Sequence, residues 1–467
     1  MMNNLFITNI VTNSVYTHTE DQVNCLKDIY KYLFENFSKS IHIINGYAGT
    51  GKTTIISEIV EELRSQKFKV TLLAPTGRAA KVLSGYCKYP AFTIHKHIYL
   101  SYKNELGDYK IILTKNKSPN TIFFIDEASM ISDNSNTSDF SYSRNLLDDI
   151  ISFVFSQPNC KLIVIGDTAQ LPPVHFSESP ALIPKTYQDN YSLSASISNL
   201  NQVVRQTQDS PVLANATYIR EKLFSEDFSE PFFNDYNDKY FTELKSYDLE
   251  DALNNCFGNS YSDIESIIIC RSNKRANLYN KAIRARILFY ENVLAAGEKL
   301  MVIKNNYFWL DESKEAQFIA NGEMIEIMRI NKIENIYGYD FAHVSVNLYD
   351  NADSPILDVI LLLNTLDTDL PSLALEDRMN LYNSIMEDYM HLTSKNERHK
   401  AIKLNPYYNA LQVKYGYAMT CHKAQGGQWD NIFIDLGYYN EEMLNKEYFR
   451  WLYTAVTRSK SKVYIIR

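Results

Sequence analysis

The residues with the clearest capacity for chemistry lie in a glycine-rich segment near the amino terminus. Residues 46–53 read GYAGTGKT, which matches the phosphate-binding pattern G-x-x-x-x-G-K-[ST]. Glycines let backbone N–H groups close around a phosphate, and the amino terminus of the following helix adds partial positive charge. Lys52 would neutralise the β- and γ-phosphates, and the Thr53 hydroxyl would ligate Mg²⁺. The predicted nucleotide contacts are Gly46, Ala48, Gly49, Thr50, Gly51, Lys52, Thr53 and Thr54.

Two adjacent carboxylates follow a second apolar segment. Residues 123–127 read FFIDE, and this strand would lie beside the one that leads into the phosphate-binding segment. Asp126 could then reach the ligand shell of Mg²⁺. Glu127, one residue later, could orient and deprotonate an attacking water. Adjacent carboxylates also occur as ordinary strand ends, so only their combination with residues 46–53 predicts hydrolysis of a nucleoside triphosphate.

Short apolar segments alternate with helical patterns over the first two hundred residues, which predicts an α/β fold with a parallel sheet. Buried strands are predicted at 41–45, 70–74, 121–125 and 161–165. Between the first two, one helical face is apolar. It consists of Ile55, Ile56, Ile59, Val60 and Leu63. Strands return at 266–270, 431–435 and 462–466, which predicts a second α/β lobe.

Two segments interrupt this pattern. Residues 97–102 and 109–114 could pair as a hairpin, and residues 298–366 have the pattern of a small β-barrel followed by a polar helical stretch. Residues 210–263 read as helical and acidic. The predicted boundaries are 1–92 and 121–208 for the first lobe, 93–120 for its hairpin insertion, 209–297 and 411–467 for the second lobe, and 298–410 for its insertion.

Length, charge and cysteine spacing limit the classes of function. A chain of 467 residues is long enough for two to four domains. The net charge of −8 argues against a protein that coats nucleic acid, and confines any such site to a local groove. The six cysteines lack the spacing of a zinc site or a disulfide framework. No apolar run is long enough to span a membrane and no signal-peptide pattern is present, so a cytoplasmic protein is expected.

Six further segments occur in an order typical of one family. They read APTGRAA at 74–80, TIH at 93–95, GDTAQLPPV at 166–174, VVRQ at 203–206, AMTCHKAQGG at 418–427 and YTAVTR at 453–458. In this order they resemble motifs Ia, Ib, III, IV, V and VI of superfamily 1 helicases of the 1B branch, the RecD/Dda-like group. An ordered set is more specific than any single match. The polar helical stretch before motif V departs from the Dda pattern, so the resemblance is closer to a bacterial RecD-like subgroup.

The resemblance implies two RecA-like lobes that bind ATP and Mg²⁺ between them. Gln22, in the segment TEDQ, matches the Q motif, whose amide can pair with adenine and so favours ATP over GTP. Gln170 would sense the γ-phosphate, and Gln425 would contribute to the nucleotide site. Arg205 and Arg458 would contact the γ-phosphate across the cleft, because a guanidinium forks onto phosphate oxygens. Since Arg458 would belong to the second lobe, hydrolysis would require closure of the lobes.

The resemblance also implies single-stranded DNA and single-strand/duplex junctions as partners. Hydroxyl, imidazole and basic side chains of motifs Ia, Ib and V suit phosphate contacts that carry no sequence information. The candidates are Pro75, Thr76, Arg78, Thr93, His95, Thr420, His422 and Lys423. The hairpin within 93–120 would separate the strands, with Tyr99 or Tyr102 either as its wedge or as a packing residue. The β-rich insertion would be an SH3-like domain that forms part of the DNA channel or grips the hairpin.

The function implied is an ATP-dependent DNA helicase, stimulated by single-stranded DNA, that moves 5′→3′ as a monomer. Its setting would be DNA replication, repair or recombination. The alternative is a RecD-like motor subunit of a larger exonuclease complex, with RecBC-like partners and little activity alone. A P-loop switch or kinase is a third class, which motifs III to VI and the second lobe argue against.

Overall fold

A computed structural model describes most of the chain. The described ranges are 2–35, 39–103, 109–133, 145–204, 210–233, 240–245, 247–258, 265–310, 318–348 and 356–467. The tip of the predicted hairpin and Arg205 lie outside these ranges. No helix within them combines the length and the apolar character that crossing a bilayer requires.

The first lobe is a parallel sheet of six strands with a helical layer on each face. Its strands are β1 (Ser40–Gly46), β2 (Lys69–Ala74), β3 (Ala91–Thr93), β6 (Thr121–Ile125), β7 (Lys161–Gly166) and β8 (Ser194–Leu200), while β4 (Tyr99–Lys103) and β5 (Tyr109–Leu113) form a separate antiparallel hairpin. Its helices are α1 (Met2–Asn13), α2 (Glu20–Tyr30), α3 (Lys52–Ser65), α4 (Gly77–Cys87), α5 (Ile94–Ile98), α6 (Leu146–Val154) and α7 (Pro184–Tyr191). Consecutive β1 residues, Ile43 and Ile44, are fully buried on opposite faces, which explains why these strands are apolar throughout.

The strand order places three loops at one edge of this sheet. The order is β3-β2-β6-β7-β1-β8, and every neighbouring pair is parallel. The carboxyl ends of parallel strands meet at one edge, so the loops after β1, β6 and β7 converge there. The prediction that the strand before Asp126 adjoins the strand before the phosphate-binding segment is wrong, because β7 lies between them. Asp167, directly after β7, therefore sits between the two predicted sites.

The second half of the chain forms another parallel sheet and a barrel. Its strands are β9 (Phe241–Leu244), β10 (Ser266–Cys270), β11 (Lys299–Val302), β12 (Met324–Ile336), β13 (Tyr339–Leu348), β14 (Leu357–Leu362), β15 (Leu411–Tyr415), β16 (Ala418–Thr420), β17 (Trp429–Asp435) and β18 (Ser459–Ile466). Its helices are α8 (Pro211–Phe224), α9 (Leu249–Phe257), α10 (Asn273–Ala282), α11 (Leu375–Asp388), α12 (Lys395–Leu404), α13 (Cys421–Ala424) and α14 (Lys446–Val456). The second sheet has the order β16-β10-β17-β18-β9, and its neighbouring strands are parallel.

Strands β11 to β15 close into a barrel around an apolar interior, and α11 and α12 pack against its outside. The barrel is completed by β15, so it continues past the predicted boundary at residue 410. It also reaches the first lobe, because Nζ of Lys96 in α5 lies 3.5 Å from Oε1 of Glu323, just before β12. The predicted architecture, two RecA-like lobes with a hairpin insertion in the first and a barrel insertion in the second, is confirmed.

Strands β8 and β9 are among those that escaped prediction, and both are sheet edges without a strong apolar pattern. β8 reads SASISNL, and its serines bond to the sheet instead of packing: Ser196 and Ser198 both contact the ring of His42, at 2.8 and 3.2 Å. β9 reads FTEL within a segment interpreted as helical, and it pairs with β18. Edge strands carry fewer packing constraints, so their periodicity is weaker.

Candidate functional site

The segment at 46–53 forms the loop between β1 and α3. Gly51 has a φ of +76°, and a Cβ there would lie 2.5 Å from Nε2 of Gln22, so no larger residue fits. Lys52 begins α3, and its Nζ donates to the carbonyl oxygens of Gly46 at 2.5 Å and Tyr47 at 2.9 Å. These neutral acceptors hold the ammonium over the loop. A phosphate carries full negative charge and would displace them.

The two predicted carboxylates lie at the same edge, directly after β6. Oδ1 of Asp126 accepts a hydrogen bond from the backbone N of Glu127 at 2.8 Å. Burial, and then the adjacent charge of Glu127, raise the pKa of Asp126. Glu127 has a left-handed backbone, with φ of 52°. Such a conformation at a non-glycine residue costs about 1–3 kcal/mol, and residues strained in this way tend to cluster at active sites.

An arginine of the second lobe lies in this carboxylate site. Nη1 of Arg458 is 3.7 Å from Oε1 of Glu127, and Arg458 is only 4% exposed. Its Nε donates to the carbonyl of Thr454 at 3.0 Å, which ties the guanidinium to the last turn of α14. The side chain predicted to act across the cleft is therefore already within reach of the side chain predicted to activate water.

The loop after β7 is bonded directly to the second lobe. Asp167 is fully buried, and its Oδ2 accepts from the Tyr453 hydroxyl at 2.8 Å. The same hydroxyl accepts from the backbone N of Ala48 at 2.8 Å. The next residue of α14, Thr454, accepts through Oγ1 from the backbone N of Leu171 at 2.8 Å. Two consecutive side chains of one helix thus hold the loops after β1 and β7.

Gln170 lies in the loop that follows β7. It is 5% exposed, and its Oε1 has no hydrogen-bond partner in the described part of the chain. An unsatisfied buried amide oxygen costs about 1–3 kcal/mol. A group that completes the site would remove this cost, which fits the predicted sensing role of Gln170.

Three predicted nucleotide contacts have other partners in this conformation. Nε2 of Gln22 donates to the carbonyl of Thr50 at 3.0 Å, and its Oε1 accepts from Thr19 N at 3.0 Å, so its amide braces the phosphate-binding loop instead of opening onto a base. The backbone N of Ala48 is taken by Tyr453. Nε2 of Gln425 donates to the carbonyl of Leu171 at 2.7 Å, and therefore joins motif V to motif III.

Asp167, Tyr453 and Thr454 lie within the motifs that the sequence shows, but no role was predicted for them. Arg220 lies outside these motifs and was not predicted as a site residue. The guanidinium of Arg220, on α8, lies 4.5 Å from the centre of the Tyr47 ring. A tyrosine and a threonine on a strongly apolar helix were a usable signal, because buried hydroxyls need partners. Nothing local marks Arg220, since its contact depends on the docking of the two lobes.

Arg78, a predicted DNA contact, is bonded to the second lobe in this structure. Its Nη2 forms an ion pair with Glu265 and donates to the carbonyl of Gln428 at 2.8 Å. Its guanidinium carbon also lies 4.1 Å from the centre of the Trp429 ring. Glu265, Gln428 and Trp429 all belong to the second lobe, so Arg78 joins the two lobes. The contacts of Arg78 with these three residues are called the clasp below.

The main chain of the second lobe also lies close to the first lobe beside this clasp. Gly426 has a φ of +74°, and a Cβ there would lie 2.8 Å from Cβ of Ala79 and 3.1 Å from Oγ1 of Thr76. Only glycine fits both this backbone and this spacing. Motif V therefore approaches motif Ia with only the short side chains of Ala79 and Thr76 at the contact.

The other predicted DNA contacts cluster around helix starts. The Thr76 hydroxyl caps α4 by accepting from Ala79 N at 3.2 Å, and the Thr93 hydroxyl caps α5 by accepting from Lys96 N at 3.2 Å. Burial lowers the pKa of His95 to about 4, so its ring is neutral at pH 7. The remaining candidates are half-buried; they are Pro75, Thr420, His422 and Lys423.

Lys423 has the most unusual environment of this set. Its Nζ is buried, and the described residues provide it with no hydrogen-bond partner. Burial, and then the charge of Lys414 on β15, lower the pKa of Lys423 to about 8. An anion beside Nζ would relieve both penalties.

Of the two candidate wedge residues, Tyr99 has a packing role. It is 8% exposed, and its hydroxyl donates to Oδ2 of Asp149 at 2.7 Å. The side chain of Tyr102 lies outside the described part of the structure. Leu100 and Ile112 are exposed on the two strands of the hairpin, at 54% and 44%.

These features define a P-loop NTPase with two RecA-like lobes. They are a glycine-rich phosphate loop after β1, a carboxylate pair after β6, and an arginine from a second parallel α/β lobe. Two family models match this chain. Residues 27–227 match the AAA domain, and residues 415–466 match the UvrD-like helicase C-terminal domain.

The chain is similar to the ATP-dependent DNA helicase dda of Enterobacteria phage T4, at 25% identity over 96% of this chain and 99% of that protein. It is also similar to the RecBCD enzyme subunit RecD of Buchnera aphidicola subsp. Schizaphis graminum, at 26% identity over 91% of this chain and 70% of that protein. Among solved structures, the Pif1 helicase from Bacteroides in complex with ADP-AlF3 and ssDNA aligns with a TM-score of 0.46 at 16% identity, over 96% of this chain and 92% of that one. These matches agree with the resemblance to superfamily 1B helicases that the motifs predicted.

Proposed function

We propose that this chain is an ATP-dependent DNA helicase that moves along single-stranded DNA and unwinds the duplex ahead. The observation that carries the proposal is the 3.7 Å contact between Arg458 of the second lobe and Glu127 of the first. Because the hydrolytic site is completed by both lobes, each turnover must be linked to their relative position. That link is what converts hydrolysis into movement.

The residues at the first-lobe edge fit ATP and Mg²⁺. Thr53 and Asp126 would hold the metal ion, which neutralises negative charge that builds up on the phosphates. Burial and the charge of Glu127 disfavour the ionised form of Asp126, and a nearby cation would offset both effects. Lys52 would bind the β- and γ-phosphates after leaving the carbonyls of Gly46 and Tyr47.

The chain's own groups then divide the work of hydrolysis. Glu127 orients the attacking water and takes its proton. Gln170, whose buried Oε1 lacks a partner in the described residues, contacts the water or the γ-phosphate. Arg458 leaves Glu127 and forks onto the phosphate oxygens. We further propose that Arg205 of motif IV also contacts the γ-phosphate.

The track would run over the edge where motifs Ia, Ib and V meet the barrel. Lys423 suits a phosphate of the DNA backbone, because the described residues give its buried ammonium no hydrogen-bond partner and the charge of Lys414 repels it. The hairpin of β4 and β5 would split the duplex, and the pair Lys96–Glu323 would support it against the barrel. We propose 5′→3′ movement, and single-strand/duplex junctions as the substrate.

A second candidate function is a motor subunit of a larger recombination or repair complex. It is favoured by the 26% identity to a protein named as a RecBCD subunit, which extends over 91% of this chain. The two candidates differ in whether the isolated chain unwinds DNA.

The proposal is tested with the purified chain alone. ATP hydrolysis should rise strongly with single-stranded DNA, and DNA affinity should fall with salt at a log–log slope of about −0.7 for each neutralised phosphate. Forked duplexes with only a 5′ or only a 3′ tail report direction, and 5′-tailed forks should be unwound. Hydrolysis without unwinding would favour the subunit, and a rate indifferent to both DNA and RNA would contradict the motor.

Replacing Arg78 with alanine should weaken the contact between the lobes and not the contact with DNA. We expect a melting temperature lower by a few degrees, because an ion pair, a hydrogen bond and a cation–π contact are lost together. The salt slope of DNA binding should stay unchanged. Fluorescence anisotropy at several salt concentrations measures the slope, and scanning fluorimetry measures the melting temperature.

Glu265→Gln is the matched control, since it breaks the same clasp from the other lobe. Both variants should behave alike if Arg78 joins the lobes. If Arg78 instead contacts a DNA phosphate, Arg78→Ala should reduce the slope by about 0.7 and Glu265→Gln should tighten binding by removing a negative charge.

A further inference from the structure

One phenol of the second lobe is bonded to two loops of the first. Tyr453 lies on α14 and is 1% exposed. Its hydroxyl accepts from the backbone N of Ala48 in the phosphate-binding loop, at 2.8 Å, and donates to Oδ2 of Asp167, at 2.8 Å. The packing of the Tyr453 ring does not depend on either of these two hydrogen bonds. The hydroxyl therefore joins the loops after β1 and β7 to the helix that precedes Arg458.

The protonation of this group is fixed by its surroundings. Burial, and then the charge of Asp167, raise the pKa of Tyr453, so the phenol keeps its proton at neutral pH. Oδ1 of Asp167 accepts from Ala169 N at 2.9 Å, which leaves Oδ2 for the phenol. The proton must point at Asp167 while the oxygen lone pair faces Ala48.

Lys52 connects this group to the phosphate site. Its Nζ is 4.0 Å from Oδ2 of Asp167, the same oxygen that accepts from Tyr453. A bound triphosphate would draw Nζ toward its own oxygens. Asp167 would then depend more on the phenol, because a buried carboxylate that loses a cation needs its remaining donors. Filling the phosphate loop would thus strengthen the bond to α14.

The other end of this connection is Arg458. The backbone N of Thr457 donates to the carbonyl of Tyr453 at 3.0 Å, and the backbone N of Arg458 donates to Ala455 at 3.1 Å. Nε of Arg458 is held by the carbonyl of Thr454. A shift of Tyr453 by a fraction of a hydrogen-bond length is therefore passed to the guanidinium near Glu127.

We propose that Tyr453 is a positioning residue that transmits occupancy of the phosphate loop to Arg458, through its bonds to Ala48 and Asp167. The proposal rests on the proposed ATPase function and adds how the two lobes detect the nucleotide. In this proposal Tyr453 contacts neither the nucleotide nor the attacking water. It acts through the placement of Arg458.

The test compares two tyrosines of the same helix. Tyr453→Phe removes the bridging hydroxyl, while Tyr448→Phe removes a buried hydroxyl for which the described structure offers no partner. For Tyr453→Phe we expect kcat of DNA-stimulated hydrolysis to fall about tenfold, with the KM for ATP changed by less than about threefold. DNA affinity in wild type should change about fivefold or more on adding a non-hydrolysable ATP analogue, and this change should shrink below about twofold in the variant. Tyr448→Phe should match wild type in all three measurements.

A double variant separates transmission from simple loss of stability. If Tyr453 acts through Arg458, adding Tyr453→Phe to Arg458→Ala should cost less than about twofold further in kcat. A full tenfold cost in that background would overturn the proposal. So would a Tyr453→Phe enzyme whose kcat and nucleotide response equal those of Tyr448→Phe.

A second variant covers the case in which Tyr453→Phe does not fold. Asp167→Asn keeps an acceptor for the phenol but removes the charge that responds to Lys52, and it should also lose the nucleotide-dependent change in DNA affinity. A normal change in that variant would overturn the proposal. A wild-type chain with no DNA-stimulated hydrolysis would instead count against the proposed function itself, so the two failures are distinguishable.

Discussion

Replacing Arg458 with alanine is expected to lower kcat of DNA-stimulated ATP hydrolysis by about 10³- to 10⁵-fold. The guanidinium comes from the second lobe and lies 3.7 Å from Glu127, where it can stabilise charge that develops on the transferred phosphoryl group. Unwinding should stop with hydrolysis, because the proposed role of this arginine makes hydrolysis depend on the position of the second lobe. Steady-state phosphate release at saturating ATP and DNA measures the loss.

Two further variants define this effect. Arg458→Lys keeps the charge but not the planar fork, so it should recover only part of the rate. Lys460→Ala removes a cation two residues away that pairs with Asp430 on the surface, at 4.0 Å, and should hydrolyse ATP at the wild-type rate. An Arg458→Ala enzyme within tenfold of wild type would mean that catalysis is completed within the first lobe.

Replacing Lys52 with alanine is expected to abolish ATP hydrolysis and unwinding while weak DNA binding remains. Lys52 is the cation that lies over the phosphate-binding loop, and both its carbonyl partners belong to that loop. Without it, the β- and γ-phosphates lose their main charge partner. Phosphate release and DNA anisotropy, measured on one preparation, separate the two activities.

The exposed Lys69, at the start of β2, offers a control for the loss of one positive charge. Lys69→Ala should retain both activities. A Lys52→Ala chain that still hydrolyses ATP at a DNA-stimulated rate would place the phosphate site elsewhere, whereas complete loss of DNA binding would point to a folding defect.

The phosphate-binding loop and the carboxylate pair could be predicted because their function is local. The spacing of residues 46–53 is imposed by the size of a phosphate, and Asp126 and Glu127 follow directly from the end of a strand. The parallel sheets were predictable for a related reason: strands buried on both faces are apolar throughout, as Ile43 and Ile44 are. The serine-bearing edge strand β8 lacks this pattern and was missed.

Side chains whose partners depend on lobe docking were not predictable. Arg78 bonds to Glu265 and Gln428, which lie 187 and 350 residues away along the chain. Gln425 bonds to Leu171 across 254 residues. A sequence motif can indicate that such a residue lies at the cleft between the lobes. It does not identify the partner, because the N–H groups of a guanidinium or an amide can donate to a phosphate, a carboxylate or a carbonyl. The choice is made by geometry that no local pattern encodes.

The glycine contact between motifs V and Ia has a mechanical consequence. At Gly426 the main chain of the second lobe lies against Ala79 and Thr76, and only these two short side chains are at the contact. A contact made by main chain and short side chains can adjust far less than a layer of long side chains. The lobes would therefore rotate about this point and not slide past it. If the lobes close over ATP on one side of this contact, as proposed, the surfaces proposed to bind DNA on its other side would have to move as well. The methyl group of a Gly426→Ala variant would push the lobes apart at this contact. It would therefore change the angle between them even before ATP binds.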